Sequence, residues 1–159
     1  KRYSNINTIV IRKQGSRDVD SDSNYLIAED DDNVRRFVAQ ALSLAGHETQ
    51  EASDGGLAVE IMSEQEGHFD LLLSDIKMPI MDGIGLALDV AARFPKVKIL
   101  LMTGFADQRE RAHGLDALIY DVITKPFSLD MLLAKVQDAL SGKPVEIVSL
   151  ARQHINKAL

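Results

Sequence analysis

The 159-residue chain contains no cysteine, which excludes a disulfide framework and a thiolate metal site. It also lacks long apolar runs: a stretch such as "ILLM" at 99–102 is far shorter than the roughly 18 residues that a membrane-spanning helix needs. Basic residues are in the minority, with 18 Lys and Arg against 24 Asp and Glu and a formal net charge of -6. Binding along nucleic-acid phosphates requires clustered Lys and Arg. We therefore expect a cytoplasmic protein that binds neither a membrane nor nucleic acid.

Hydrophobic residues make up 45% of the chain, which is enough for one domain with a core. Residues 1–24 hold a short alternating segment and then "QGSRDVDSDSN", which has no helical or strand period, and together they predict a flexible N-terminal extension or linker. Residues 25–140 alternate short apolar strands with amphipathic helices, a pattern typical of an α/β domain with a mainly parallel sheet. Residues 141–159 carry apolar side chains at helical spacing and predict a short C-terminal helical tail.

Five strand-and-helix units follow one another from Tyr25 onward. The first unit has the clearest helix, with apolar residues at intervals of three and four and Gly46 as its stop. The second strand is weak, and the fourth unit is assigned from its strand and the Thr103 that follows it. The predicted strands cover 25–28, 47–52, 69–74, 97–102 and 118–127, and the predicted helices cover 34–45, 57–63, 85–94 and 129–140.

Polar residues follow these strands where each one ends. Continuous apolar strands are buried on both faces, so helices must cover both sides of a doubly wound parallel sheet. The carboxyl ends of parallel strands share one edge, and ligands bind in the crevice there. The sequence therefore predicts one pocket from residues that are far apart in the chain: Glu29, Asp30 and Asp31 after strand one, Asp75 after strand three, Thr103 after strand four, and Lys125 with Pro126 after strand five.

Each of these residues also has an ordinary structural interpretation. An acidic cluster before a helix is usually a cap and a partner of the helix dipole. Asp75, Thr103 and Lys125 taken singly are common surface residues. Three carboxylates, a hydroxyl and an ammonium at neighbouring strand ends are less easily explained in this way, and together they favour a common chemistry.

That chemistry is phosphoryl acceptance by a carboxylate. Oxygen ligands from Asp30 and Asp75, with the backbone carbonyl of Lys77 and a water held by Glu29, suit Mg²⁺, and Mn²⁺ could substitute for it. The cation would offset the repulsion among the carboxylates and leave Asp75 as the nucleophile toward a phosphoryl donor. Lys125 would contact the transferred oxygens, and the Thr103 hydroxyl would donate a hydrogen bond to them.

Four stretches, "LIAEDDDNVRR", "LLLSDIKMPIMDG", "LLMTG" and "VITKPFS", resemble the receiver domain of bacterial two-component response regulators, over about 25–140. The resemblance implies a flavodoxin-like (βα)5 fold with strand order 2-1-3-4-5. It implies phosphorylation of Asp75 by a sensor histidine kinase or a histidine phosphotransfer protein. It also implies an acidic pocket of Glu29, Asp30 and Asp31, a switch at Thr103, a phosphate contact from Lys125 and a cis peptide bond before Pro126.

The resemblance further implies a signalling domain rather than an enzyme, with self-phosphorylation from small donors and self-dephosphorylation. A phosphorylation-dependent change of surface would then reach a protein partner. Two readings of the chain stay open at this point: a stand-alone receiver, or a receiver cut from a larger regulator with an output domain.

One position departs from the receiver pattern. Receivers usually carry Tyr or Phe three residues before the lysine, and this chain has Val122 there. Tyr120 lies two residues earlier, and the strand period of two predicts that it shares a face with Val122. Either Tyr120 replaces the usual ring, or the surface changes through a backbone shift.

Lys77 and Phe105 follow the acceptor and the switch hydroxyl by two residues each and are expected at the rim of the pocket. A bulky ring at the rim would obstruct an in-line water, which predicts slow self-hydrolysis. The alternative is that Phe105 simply packs on the following helix.

Two other functions remain as alternatives. A Mg²⁺-dependent phosphatase of the haloacid dehalogenase type also uses an aspartate nucleophile, but it needs a second acid two residues later, where this chain has Lys77. A degenerate receiver could serve as a constitutive interaction module.

Overall fold

The computed structural model describes residues 23–142, so the predicted extension at 1–24 and tail at 141–159 lie almost entirely outside the described residues. No helix in the described range is long and apolar enough to cross a membrane. Within that range, strands and helices alternate as β1 Asn24–Ala28, α1 Asp32–Leu44, β2 Glu48–Ala52, α2 Gly55–Glu64, β3 Leu71–Asp75, α3 Gly83–Arg93, β4 Lys98–Thr103, α4 Ala106–His113, β5 Asp121–Thr124 and α5 Leu129–Ser141.

The five strands form one parallel sheet in the order β2-β1-β3-β4-β5, which confirms the predicted fold class. Alternate residues of each strand point to opposite faces. Leu72 packs with helices α2, α3 and α4 on one face, and Leu73 packs with α1 and α5 on the other. The sheet is thus buried on both sides, as its continuous apolar strands predicted.

Local signals in the sequence set the ends of several helices. Asp31 caps α1 by accepting hydrogen bonds from two backbone N–H groups of its first turn. Gly46 follows the end of α1 with a φ of 93°, a conformation that glycine adopts at little cost, and this confirms its predicted role as a stop. Asp54 caps α2 in the same way as Asp31 caps α1. The chain's own polar residues therefore position the loops that precede these helices.

The fourth unit differs most from the sequence prediction. Helix α4 has a polar sequence, "ADQRERAH", and Ala112 is its buried hydrophobic residue among those whose side chains are described. A helix without an apolar stripe has no hydrophobic period of 3.6 residues, so its sequence does not indicate a helix. Strand β5 is also shorter than predicted, because only Asp121–Thr124 pairs with β4.

Ile80, in the loop between β3 and α3, has a φ of 71° and an exposed fraction of 85%. A β-branched residue rarely adopts this left-handed conformation, which costs roughly 1–2 kcal/mol. Its side chain gains little from burial. We expect Ile80→Gly to raise the free energy of unfolding by about 1 kcal/mol, because the relief of strain exceeds the added flexibility of the unfolded chain. Urea unfolding followed by circular dichroism would measure the change.

Ile80→Asn is the matched control, since asparagine tolerates the left-handed region better than isoleucine but keeps a side chain. It should fall between the unmutated chain and the glycine variant. A loss of stability in both variants would show that contacts of the isoleucine side chain outweigh the strain of its backbone.

Candidate functional site

Asp75 is the last residue of β3 and lies at the centre of the carboxyl edge of the sheet. Its carboxylate is largely buried, and Oδ1 accepts a hydrogen bond from the N–H of Ile76 at 3.0 Å. The start of α3 comes very close: a Cβ on Gly83 would lie 2.1 Å from the carbonyl oxygen of Asp75. Glycine is therefore required in "MDG", where the helix begins against the backbone of Asp75.

Lys125 joins this carboxylate to a second one. Its ammonium lies 3.2 Å from Oδ1 of Asp75 and 2.7 Å from Oε2 of Glu29. The backbone N–H of Lys125 donates to the carbonyl of Thr103 at 2.8 Å, which fixes the end of β5 against the end of β4. The peptide bond between Lys125 and Pro126 is cis.

Glu29 is 1% exposed and both of its carboxylate oxygens are engaged. Oε2 pairs with Lys125, and Oε1 accepts from the backbone N–H of Asp31 at 3.0 Å. Burial raises the pKa of Glu29 and of Asp75, and the positive charge of Lys125 counteracts part of that rise. Burial alone would lower the pKa of Lys125, but its hydrogen bond to Glu29 and the charge of Asp75 raise it above its ordinary value. The ammonium is thus held in its charged form between two acids.

Three carboxylates converge at this edge. One oxygen each of Glu29, Asp30 and Asp75 lies within 4.8 Å of the other two. Carboxylate oxygens are the ligands that Mg²⁺ and Mn²⁺ prefer, so the residues present fit a hard divalent cation. Asp31 lies outside this group because its carboxylate caps α1, and the three consecutive acids therefore have different positions relative to the site.

Thr103 is the last residue of β4 and is buried. Its hydroxyl accepts from the N–H of Phe105 at 3.1 Å and donates to the carbonyl of Phe105 at 3.3 Å. Register places Met102 beside Asp75, so Thr103 stands one residue beyond the acceptor on the neighbouring strand. The hydroxyl is therefore tied to the first residues of the loop that leads into α4.

Lys77 and Phe105 lie against each other, with the ammonium 4.9 Å from the centre of the ring. Phe105 is 51% exposed and does not belong to either buried hydrophobic cluster. Both side chains line a groove of about 170 Å³, together with residues of α4 and of the β3–α3 loop. Asp75 does not line this groove, so the location of both side chains at the rim of the acceptor pocket stays a prediction.

The prediction that Tyr120 shares a strand face with Val122 is wrong. Val122 packs on the face covered by α2, α3 and α4, whereas Tyr120 packs on the face of α1 and α5. The period of two fails because Tyr120 lies in a bend before β5, which begins at Asp121. Tyr120 therefore has no structural basis for replacing the ring that receivers usually carry at the position of Val122.

Sequence reasoning gave no role to Arg35, which contacts the acidic loop directly. Its Nη1 donates to the backbone carbonyl of Glu29 at 2.8 Å. An arginine in the first turn of the helix that follows the acidic residues was visible in "EDDDNVRR", but the sequence does not show which carbonyl it reaches.

The fold and this set of side chains define a doubly wound α/β domain with converging carboxylates and a lysine ammonium at the carboxyl edge of its sheet. Residues 25–137 match the family described as the response regulator receiver domain, and the chain belongs to that family. The resemblance noted in the sequence is thereby confirmed. Domains of this family act as phosphoacceptors in two-component signalling and are not typical enzymes.

Relatives of very different length share this domain. The response regulator receiver protein CpdR of Brucella abortus is 38% identical over 115 residues, which cover 72% of this chain and 94% of CpdR. The regulatory protein AtoC of Escherichia coli is 34% identical over 134 residues, which cover 84% of this chain but only 28% of AtoC. The sensor kinase CckA of Brucella abortus is 36% identical over 124 residues, 77% of this chain and 13% of CckA.

Solved structures agree with the fold. The response regulator TrrA of Thermotoga maritima, in complex with Mg²⁺ and BeF, has a TM-score of 0.67 and 26% identity, covering 74% of this chain and 99% of that one. The receiver domain of the hybrid histidine kinase CckA has a TM-score of 0.63 and 29% identity, with the same coverage of 74% and 99%.

Proposed function

We propose that this chain accepts a phosphoryl group on Asp75 from a sensor histidine kinase or a histidine phosphotransfer protein, and signals to a protein partner through a change of surface. One observation carries the proposal: the ammonium of Lys125 contacts both Asp75 and Glu29 at an edge where three carboxylates converge. Such a charge arrangement suits a group that arrives with negative oxygens.

In the proposed transfer, a carboxylate oxygen of Asp75 forms a bond to phosphorus while the bond from phosphorus to the donor breaks. The donor atom is a nitrogen of phosphohistidine or an oxygen of acetyl phosphate, and it leaves with the bonding electrons. Lys125, already 3.2 Å from Asp75, would contact the transferred oxygens. The hydroxyl of Thr103 would turn from Phe105 to donate to the same group.

Glu29, Asp30 and Asp75 would hold Mg²⁺, with Mn²⁺ as a substitute, and the backbone carbonyl of Lys77 stays the expected further ligand. When bound, the cation would supply positive charge that offsets the repulsion between these carboxylates and an incoming phosphate. Glu29 already has a partner at each oxygen, which supports its expected part as an indirect ligand acting through water. The complex of TrrA with Mg²⁺ and BeF supports a cation of this kind in a relative.

The surface change would start at the turn between β4 and α4. Thr103 holds the backbone of Phe105 through two hydrogen bonds, so a turn of its hydroxyl toward a phosphoryl group would release that backbone. Helix α4 has little apolar contact to resist a shift. We favour a backbone shift as the readout, since Val122 has no ring and the ring of Tyr120 packs on the opposite face of the sheet.

Both the stand-alone and the larger-regulator readings stay open. CpdR supports the first, because the shared part covers 94% of it, and AtoC supports the second, because the shared part covers only 28% of it. Phosphatase turnover is less well supported: Lys77 stands where a general acid would be needed, and its ammonium lies against Phe105.

The test is the intact mass of the chain after incubation with acetyl phosphate and Mg²⁺, with and without EDTA. We expect a single phosphoryl adduct that EDTA prevents. Absence of an adduct with acetyl phosphate and with a set of autophosphorylated sensor kinases would contradict the proposal and favour a constitutive interaction module.

Phe105 is expected to slow the loss of the phosphoryl group. Its ring lies against Lys77, which follows the acceptor by two residues, and we expect an in-line water to approach Asp75 past these two side chains. We expect Phe105→Glu to speed dephosphorylation by up to about tenfold, the effect of roughly 1.4 kcal/mol in an activation barrier. The decay of the adduct after removal of acetyl phosphate, followed by intact mass in Mg²⁺, gives the rate.

Phe105→Leu is the matched control, because it keeps an apolar side chain of similar reach without adding a charge. Its rate should stay near that of the unmutated chain. Equal rates for all three proteins would show that Phe105 does not shield the acceptor.

A further inference from the structure

Arg35 connects the acidic loop to two other parts of the fold. Its side chain is only 15% exposed. Besides the carbonyl of Glu29 at 2.8 Å, it contacts Oδ1 of Asp32 through Nη2 at 2.5 Å and Oε1 of Glu51 through Nε at 3.3 Å. One guanidinium therefore joins the β1–α1 loop, the first turn of α1 and strand β2.

The contact with the Glu29 carbonyl controls a particular peptide plane. That plane also carries the N–H of Asp30, because the peptide unit is rigid. On its other side, the N–H of Glu29 donates to the carbonyl of Ala52 at 3.0 Å. The backbone of Glu29 is thus fixed at both its N–H and its carbonyl. Asp30 itself is exposed, so the direction of its side chain depends mainly on the backbone that carries it.

We propose that Arg35 is a positioning residue for the divalent-cation site. It holds the peptide between Glu29 and Asp30 so that the Asp30 carboxylate stays directed toward Asp75. Arg35 is not itself a ligand, because its guanidinium is positively charged and offers only N–H donors. The inference rests on the proposed function, because it concerns the cation site of that function.

Asp32 and Glu51 have a supporting part in this arrangement. Both are more exposed than Arg35, and exposed ion pairs contribute little to stability. Together they restrict the planar guanidinium to one orientation, in which Nη1 points at the Glu29 carbonyl. Their contribution is therefore to the direction of a hydrogen bond rather than to the stability of the domain.

Removal of Arg35 should change the affinity for Mg²⁺ in opposite directions, depending on whether its charge or its positioning role dominates. A positive charge near the three carboxylates repels a divalent cation, so its removal would by charge alone strengthen cation binding. Loss of the positioned Asp30 would weaken it. Arg36, the next residue, is exposed and carries the same charge on the same helical turn. Arg36→Met is therefore a control for the effect of charge.

The experiment is a titration of the ¹⁵N-labelled chain with Mg²⁺, followed through the amide resonances of the acidic loop. We expect Arg35→Met to raise the dissociation constant for Mg²⁺ about tenfold, as for other groups that orient metal ligands. Arg36→Met should leave it unchanged or lower it. Arg35→Lys should recover part of the affinity, because an ammonium supplies a donor but not the planar fork.

Helix α3 offers a control for the general loss of guanidinium contacts. Arg93, at the end of α3, makes a similar set of contacts with Asp89 and Ser63. Arg93→Met should lower the free energy of unfolding slightly, because its ion pair is partly exposed, and should leave the Mg²⁺ affinity unchanged. Weakening of Mg²⁺ binding in Arg93→Met equal to that in Arg35→Met would overturn a specific role for Arg35.

The outcomes separate this inference from the proposed function. An unmutated chain without Mg²⁺-dependent shifts would overturn the cation site itself. If the unmutated chain binds and Arg35→Met binds equally well or more tightly, only the positioning role is overturned. If Arg35→Met fails to fold, Arg35→Lys and Arg35→Gln take its place, and dissociation constants equal to that of the unmutated chain in both would overturn the role.

Discussion

Replacement of Asp75 by Asn is expected to abolish the phosphoryl adduct that acetyl phosphate and Mg²⁺ produce. The amide has no carboxylate oxygen to form the bond to phosphorus. It does keep an oxygen that can accept from the N–H of Ile76 and from Lys125, the two contacts of Oδ1. The loss is therefore chemical and not a loss of fold. Intact mass measures it directly.

Stability provides an independent check on this variant. Burial raises the pKa of Asp75, which means that the native fold disfavours its charged form. An uncharged amide of the same shape removes that cost. The free energy of unfolding of Asp75→Asn should equal or exceed that of the unmutated chain near neutral pH, and a large decrease would mean that the missing adduct reflects unfolding.

Asp31→Asn is the matched control for the same chemical change. Asp31 lies in the acidic stretch but caps α1, and asparagine caps helices about as well as aspartate. This variant should still form the adduct. An adduct that persists in Asp75→Asn, and that peptide mapping places on Asp30 or another carboxylate, would contradict the assignment of the acceptor.

The acceptor and its partners could be predicted because they stand at the ends of apolar strands. Leu71, Leu72 and Leu73 are fully buried, so the run that they form is unambiguous and ends on Asp75. Parallel pairing then brings the ends of β1, β3, β4 and β5 together without further information. The same reasoning located Lys125, whose ammonium does reach Asp75.

The individual roles of neighbouring polar residues could not be predicted in this way. Glu29, Asp30 and Asp31 are consecutive, yet one is buried, one is exposed within the carboxylate group and one caps a helix. Those differences depend on backbone angles within a three-residue turn. Arg35 was missed for a related reason, since a side chain with this reach has several carbonyls and carboxylates within range.

Tyr120 was misplaced because the period of two applies only inside a strand. Its N–H donates to the carbonyl of Ile99, but the ladder with β4 begins one residue later at Asp121. The apolar run "LIYDVI" predicted a longer strand than the chain forms. Predictions from the period of two fail most easily at the ends of strands, because a single bend moves the residues before it to the opposite face of the sheet.

Replacement of Lys125 by Met is expected to lower the free energy of unfolding by about 3 kcal/mol near neutral pH. Lys125 is the cation that contacts both Glu29 and Asp75, and removing one partner leaves buried charge uncompensated. Lys135→Met is the matched control, because the Lys135–Asp121 pair is more exposed and should cost less than about 1 kcal/mol.

The loss in Lys125→Met should shrink as the pH falls. Burial already raises the pKa of Glu29 and of Asp75, and Lys125 partly offsets both rises, so each pKa rises further without it. A carboxyl whose pKa is higher in the folded than in the unfolded state binds more protons when folded, so acidification stabilises the folded variant relative to the unmutated chain. Urea unfolding at several values between pH 8 and pH 5 would show the two proteins converging.

Mg²⁺ should also restore part of the stability that Lys125→Met loses. A cation held by Glu29, Asp30 and Asp75 would replace the missing positive charge, so Mg²⁺ should stabilise Lys125→Met more than it stabilises the unmutated chain. If the loss of unfolding free energy in Lys125→Met is the same from pH 8 to pH 5 and does not respond to Mg²⁺, it comes from lost packing of the aliphatic part of the lysine side chain. If the two free energies of unfolding converge in acid and Mg²⁺ restores the stability of Lys125→Met, the main role of Lys125 in the fold is to compensate the negative charge of Glu29 and Asp75. The same carboxylates would then be available to a cation and to a phosphoryl group.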